Sequence, residues 1–181
     1  MAASAVSLVE DAERTRRRFR DVMGRFATGV TVITAVADGR THGMTANGFM
    51  SVSLEPPLVV ISVRRESKMI GSIETAGAYG VSVLAYEQAF LSKHFAGRPV
   101  EGLEEPFVEV DGVPVISGAI AHIVAKVMDR HVVGDHVLFV GEVTTADHLS
   151  GDPLIFHSGA YHALSSVEEW TARWNGEHGW W

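Results

Sequence analysis

Seven stretches of β-branched and apolar residues follow one another along this chain, most of them bounded by glycine or proline, with only two helical stretches among them. That spacing restricts the fold more than any other feature. The stretches are GVTVITAV from Gly29, then residues 43–53, 58–63, 79–84, 119–128, 136–145 and 155–164. A parallel sheet needs a crossover, usually a helix, between most successive strands, and only residues 67–75 and 87–95 have helical character. The pattern therefore predicts an antiparallel barrel in a mainly β chain. Asp38-Gly39 after the first stretch reads as a hairpin turn. Before the first strand, residues 8–26 place Phe19, Val22, Met23 and Phe26 at the i, i+3, i+4, i+7 spacing of one buried helical face, which predicts a helix leaning on the sheet.

Within this pattern the segment HGMTANGFMSVSLEPPL, residues 42–58, has the wrong polarity for an ordinary buried strand. Thr45, Asn47, Ser51 and Ser53 alternate with Met44, Phe49, Met50 and Val52, so hydrogen-bonding groups and apolar surface are offered together. A flat ligand with polar edges needs that combination. Pro56-Pro57 fixes φ twice and withholds two backbone donors, so the segment must stop at a turn or sheet edge before Leu58.

Other function classes are narrowed by what the 181 residues lack. With no cysteine there is no disulfide, thiolate nucleophile or cysteine-ligated metal, so redox chemistry must belong to a bound cofactor. A net charge of −7 argues against a nucleic-acid surface, and the cluster Arg14 to Arg20 reads as the solvated side of the first helix. The start MAASAVSLVED has neither the basic opening nor the apolar core of a secretory signal, and no run reaches the ~20 apolar residues of a membrane span, so a cytoplasmic protein is expected. No GxGxxG follows a strand, and no phosphate-binding GxxxxGK[ST] or hydrolase GxSxG is present. Among nine histidines there is no HxH or HExxH; His131 and His136, like His157 and His162, stand five apart in strand-like sequence, which predicts opposite faces and no metal site.

Two local constellations remain. Gly134-Asp135-His136 lies at the mouth of a hairpin, where His136 is either an ordinary strand histidine or a hydrogen-bonding group at a cavity rim. Arg64-Arg65-Glu66-Ser67-Lys68 joins an apolar strand to a helix, which is either a capped helix with solvated charges or a phosphate site. Residues 96–114 read as a long ordered loop, and residues 1–7 as a frayed tail. The four tryptophans near the carboxyl terminus are expected to pack on this subunit or on a partner.

Taken in order, FRDVMGRFATGVTVIT, HGMTANGFMSVSLEPPLVVISVRRESK, YGVSVLAYEQAFLSKHFAG, GVPVISGAIA, GDHVLFVGEV and PLIFHSGAYHAL resemble the short-chain flavin reductases of the FMN-binding split-barrel family, the reductase components of two-component flavin monooxygenases. The resemblance implies a six-stranded antiparallel Greek-key split barrel over residues 19–164, after an amino-terminal tail and helix start over 1–18 and before a tryptophan-rich extension over 165–181. It implies an NAD(P)H:flavin oxidoreductase, with NADH or NADPH as hydride donor and FMN or FAD as acceptor. The other reading on the same barrel is a flavin-binding or storage protein without turnover. It also implies a homodimer and a separate monooxygenase that receives reduced flavin. By position, Thr45, Ala46 and Asn47 would line the flavin ring and ribityl chain, with Ser51, Val52 and Ser53 on the same wall. Ser62, Arg64, Ser67 and Lys68 would serve the phosphate end, and Phe95 and Ala96 would close the groove. His136 and Tyr161 would face the nicotinamide. The chain departs from the family pattern at Gly48, where serine is usual, at Met50, where threonine is common, and at Met69, where a hydroxyl is frequent. Those departures point to weaker flavin binding or to flavin used as a shuttled substrate.

Overall fold

The computed structural model describes residues 3–165. The tryptophans at 170–181 therefore lie outside the described residues. A helix α1 (Ala3–Met23) leads into β1 (Thr28–Gly29), β2 (Thr31–Ala37), β3 (Arg40–Ala46), β4 (Phe49–Leu54) and β5 (Pro57–Arg64). Helix α2 (Met69–Ala76), β6 (Ala78–Val83), a single 3₁₀ turn at Tyr86–Gln88 and α3 (Ala89–Phe95) come next. The chain then runs through β7 (Phe107–Val110), β8 (Val113–Ile116), β9 (Ala121–Val133), β10 (His136–His148), β11 (Ile155–His157) and β12 (Ala160–His162).

Seven strands form one antiparallel sheet in the order β3-β2-β6-β9-β10-β5-β4, flanked by β1-β11-β12 and by the hairpin β7-β8. Strands β3 and β4 are the two outer strands of that order, yet only Asn47 and Gly48 separate them in sequence. Two residues span at most ~7 Å, so the sheet must curl until its edges meet. The edges are adjacent without pairing to each other, which makes a split barrel with its seam at Asn47-Gly48.

Strand β2 explains its own near-continuous apolar sequence, because it is covered on both sides. Ile33 and Ala35 enter the barrel core with Val59, Ile61, Val63, Tyr79, Val81 and Phe139. Val30, just before β2, and Val32 within it enter a second core with Leu84, Leu91, Ile116 and Leu154. Strand β5 faces the core on one side only, and alternates accordingly: Val59, Ile61 and Val63 are buried.

Several expectations are corrected. The stretch 43–53 is two strands, not one, broken at the Asn47-Gly48 seam. The stretch 155–164 is a hairpin turning at Ser158-Gly159, and the loop 96–114 contains β7 and the start of β8 around Asp111-Gly112. In all three of these hairpins, β2-β3 included, both turn residues take the positive φ that a two-residue turn of this hand requires: Asp38-Gly39, Asp111-Gly112 and Ser158-Gly159. The helix begins at Ala3, inside the expected tail, and its stripe does not lean on the sheet: Phe19, Val22 and Met23, with Phe26 just beyond the helix, are 50–70% exposed. His157 and His162 are not on opposite faces but stack edge to face across the β11-β12 hairpin, 5.8 Å between ring centroids.

Candidate functional site

The seam between β3 and β4 is where hydrogen-bonding groups of the barrel come to the surface. Because β3 ends at Ala46 and β4 begins at Phe49, the two linking residues are released from ladder pairing. Gly48 keeps one strand-like contact, its carbonyl accepting from the Ser62 amide at 2.7 Å. The approach is so close that a Cβ at Gly48 would fall 2.8 Å from the Ser62 Cβ. The usual serine of the family pattern would not fit here unless β5 moved. Asn47 is exposed, and its Nδ2 donates to Thr28 Oγ1 at 2.6 Å, which ties the seam to β1, while among the described residues nothing donates to its amide oxygen.

Two cavities meet at this seam. The larger, about 1210 Å³, lies between the end of α1 and the sheet, with Met23, Arg25, Phe26, Thr28, Phe49, Met50, Leu138, Phe156 and Ser158 among its walls. The smaller, about 480 Å³, is lined by Met44, Thr45, Ala46, Arg64, Glu66, Ser67 and His136. Asn47, Gly48 and Ser62 line both, so the two form one bent groove over the seam. The larger part exceeds the ~300–1,000 Å³ of a usual ligand pocket, which leaves room for two flat ligands in contact.

Of the residues expected from sequence, Thr45, Ala46, Asn47, Ser62, Arg64, Ser67 and His136 come together in the smaller cavity. Ser51, Val52 and Ser53 continue along β4 and line neither cavity. Lys68, Phe95, Ala96 and Tyr161 also stand outside both linings. Phe95 packs its ring against the backbone of β3, where a Cβ on Gly43 would come within 2.5 Å of it. Tyr161 shares a hydrogen bond with Ser92 Oγ at 2.7 Å, and Thr45 Oγ1 donates to the Ser92 carbonyl at 2.6 Å, so one short chain of bonds joins β12, α3 and the cavity wall.

The amino terminus of α2 is partly capped from within. Ser67 Oγ accepts from the Met69 amide at 3.2 Å and lies 3.5 Å from Met44 Sδ, and the Ile70 amide donates to the Ser67 carbonyl. Charge for an anion would then come from Arg64 and Lys68 more than from the helix end. Met69, 3% exposed, is a core residue. At the other lip, His136 pairs in register with Arg64 across β10 and β5, and the Arg65 amide donates to the Asp135 carbonyl at 3.0 Å. His136 Nδ1 is 2.8 Å from Asp135 Oδ1. That hydrogen bond first, then the charge of His136 and of Arg64, hold the Asp135 carboxyl below the usual carboxylate range.

Sequence reasoning missed the larger cavity's far wall. Thr28 and Phe156 reach it because β1 pairs with β11, with Thr28 opposite Phe156, a long-range pairing that no local pattern marks. Leu138 reaches it because it lies opposite Ser62 in the β10-β5 register. Among the described residues no group of three His, Cys, Asp or Glu side chains converges as metal ligands would. Hydroxyls, one amide, the His136 imidazole, cations and aromatic rings line the groove, with Glu66 in the smaller cavity and Asp21 in the larger, and this set suits orientation of a bound redox group better than nucleophilic attack.

Comparison with known proteins agrees on one family. Residues 23–165 match the family described as "Flavin reductase like domain". A Rhodococcus protein named "NADH-dependent flavin reductase" is 43% identical over 157 residues, 85% of this chain and 89% of that one. A Thermus thermophilus protein, "4-hydroxyphenylacetate 3-monooxygenase, reductase component", is 40% identical over 152 residues, 82% of this chain and 97% of its own length. Among solved structures, "Flavin reductase PheA2 in native state" superposes with a TM-score of 0.80 at 47% identity, over 83% of this chain and 98% of that one.

Proposed function

The chain belongs to the flavin reductase-like family, and from that premise we infer that it is the reductase half of a two-component system, transferring hydride from NADH to FMN or FAD and releasing reduced flavin to a separate monooxygenase. The observation that carries this reading in the structure is the bent groove at the barrel seam, where two cavities share Asn47, Gly48 and Ser62. A donor and an acceptor must be stacked for hydride transfer, and a two-chambered groove with a common wall provides for both. When bound, the nicotinamide supplies the hydride at C4 and the flavin accepts it at N5, so the protein need only orient, enclose and exclude.

The residues divide that work. Thr45, Ala46 and Asn47 take the polar edge of the flavin, Asn47 with its amide oxygen. Ser51, Val52 and Ser53 extend the same strand wall. Ser62 and Ser67 offer hydroxyls, and Arg64 and Lys68 offer charge, to the phosphate end. Phe95 and Ala96 close the groove from α3 by holding β3 in place. His136 meets the nicotinamide from the hairpin lip, and Tyr161 acts through Ser92 and Thr45. We further place the protein in the cytoplasm, where reduced nicotinamide is available, and read it as a homodimer. Support for the dimer is the apolar stripe of α1 and the outer face of β4, where Leu54 is 89% exposed.

The test mixes purified protein and NADH with FMN, FAD or riboflavin and follows loss of nicotinamide absorbance. Turnover with a flavin is expected. Flavin binding without turnover would instead establish a flavin-storage protein and overturn the reductase reading.

A further inference from the structure

Five two-residue turns join antiparallel strands among the described residues, and two of them, Glu55-Pro56 and Gly134-Asp135, depart from the pattern of the other three. At Asp38-Gly39, Asp111-Gly112 and Ser158-Gly159 the first residue bears the positive φ, a conformation that aspartate tolerates better than most side chains. At Gly134-Asp135, between β9 and β10, glycine takes the first position with φ +60°, and Asp135 has no positive φ to bear. A glycine-first turn suits aspartate at its second position, and the Asp135 carbonyl accepts from the Arg65 amide whatever the side chain, so what the carboxylate adds is read from its own contact. The carboxylate is 86% exposed and makes one side-chain contact, to His136 Nδ1 at 2.8 Å.

A carboxylate has only acceptor atoms, so the ring nitrogen facing it must carry the proton. In the neutral imidazole this leaves Nε2 bare, as the one ring nitrogen still open to a partner, on a side chain that lines the smaller cavity beside Arg64 and Ser67. We propose that Asp135 is the positioning residue for hydride transfer: it fixes His136 as the Nδ1–H tautomer, so that Nε2 accepts a hydrogen bond from the carboxamide N–H of the nicotinamide and sets which face of that ring meets the flavin. The inference rests on the reading of His136 as the nicotinamide contact. It adds that the histidine acts as an acceptor and that its neighbour enforces this. The same carboxylate fixes the ring's rotation about χ2, since only one orientation presents Nδ1 to it.

Two-bond proton–nitrogen NMR on protein labelled with ¹⁵N-histidine reads the tautomer without any cofactor, the His136 signal being assigned by its loss in His136→Gln. The wild type should show Nδ1 protonated. In Asp135→Asn, whose amide can donate, the protonated nitrogen should become Nε2, and Asp135→Glu should restore Nδ1–H. In steady state Asp135→Asn should raise the KM for NADH about tenfold, the worth of one hydrogen bond, with the flavin KM unchanged. In a His136→Gln background the same substitution should add nothing. An Nε2–H tautomer in the wild type, or an equal effect of Asp135→Asn with and without His136, would overturn the positioning role. A tautomer that switches as expected while the NADH KM stays still would instead sink the assignment of His136 to the nicotinamide.

Discussion

Tyr79 presents a single residue whose chemistry is not satisfied. Its side chain is fully buried in the barrel core, and among the described residues its hydroxyl finds no hydrogen-bond partner. The hydroxyl lies under the backbone of Gly141, where any Cβ would collide with it. Burial also raises the phenol's pKa well above its ordinary 10.0. A group whose folded pKa is raised contributes stability that is complete below the unfolded value and is lost as pH rises beyond it. Wild-type stability should therefore fall above pH ~10, by up to about 1.4 kcal/mol per pH unit from this group alone. Tyr79→Phe should remove that alkaline decline and, by deleting an unsatisfied hydroxyl, should match or exceed the wild type near neutrality by about 1 kcal/mol. Urea melts of both proteins at pH 8 and at pH ~11 provide the comparison, and a parallel decline in the two would show that Tyr79 ionises without cost. Asn47 is the converse, an exposed side chain with one arm committed to Thr28 and the other unpaired among the described residues. Asn47→Leu should weaken flavin binding by about 1–3 kcal/mol, roughly 5- to 150-fold in Kd, measured by flavin fluorescence quenching. Unchanged affinity would remove Asn47 from the flavin edge.

At the level of elements, the close approach of α3 to β3 is set by one glycine. A Cβ on Gly43 would enter the Phe95 ring at 2.5 Å, and that ring also stacks toward Phe107 of β7 at 5.7 Å. Gly43→Ala should then lower the urea midpoint by the equivalent of about 1–3 kcal/mol, because neither the strand nor the helix can withdraw without opening the second core. The double variant with Phe95→Leu should recover part of the loss; a single substitution without effect would show that α3 can shift freely. These elements were legible in the sequence to different degrees, and the reason is the range of the forces involved. Strand β2, its Asp38-Gly39 turn and the stop at Pro56-Pro57 depend on local chemistry, so they could be read directly. The breaks at Asn47-Gly48, Ser158-Gly159 and Asp111-Gly112 were signalled by the same kind of dipeptide, the first two hidden inside longer strand-like runs and the third inside a stretch rich in glycine, proline and glutamate that reads as a loop. The smaller cavity followed from residues clustered at strand ends. The larger one depended on β1 meeting β11 across more than a hundred residues of chain, and on β10 lying beside β5, which no local pattern encodes.

The whole molecule shows why the helix stripe was read as buried and is found exposed: apolar spacing reports that a face needs cover, not which chain supplies it. Phe19 is 65% exposed, Val22 61%, Met23 50% and Phe26 70%, and across the groove mouth Met50 is 58% and Val52 50% exposed. Met23, Phe26 and Met50 also line the larger cavity, so the surface that lacks cover and the site that needs enclosure share residues. A second copy of the chain laid over α1 and β4 would cover the first and complete the second, and would thereby couple assembly to ligand affinity. Phe19→Glu with Val22→Glu places two carboxylates on the stripe and touches no residue lining either cavity. Light scattering after size exclusion should show the wild type at twice the chain mass of 19.6 kDa and the double variant shifted toward one. Flavin affinity should fall with it by about tenfold or more, while circular dichroism stays that of the folded barrel. A monomeric variant that binds flavin as tightly as the wild type would uncouple the two and show that one chain encloses its groove unaided.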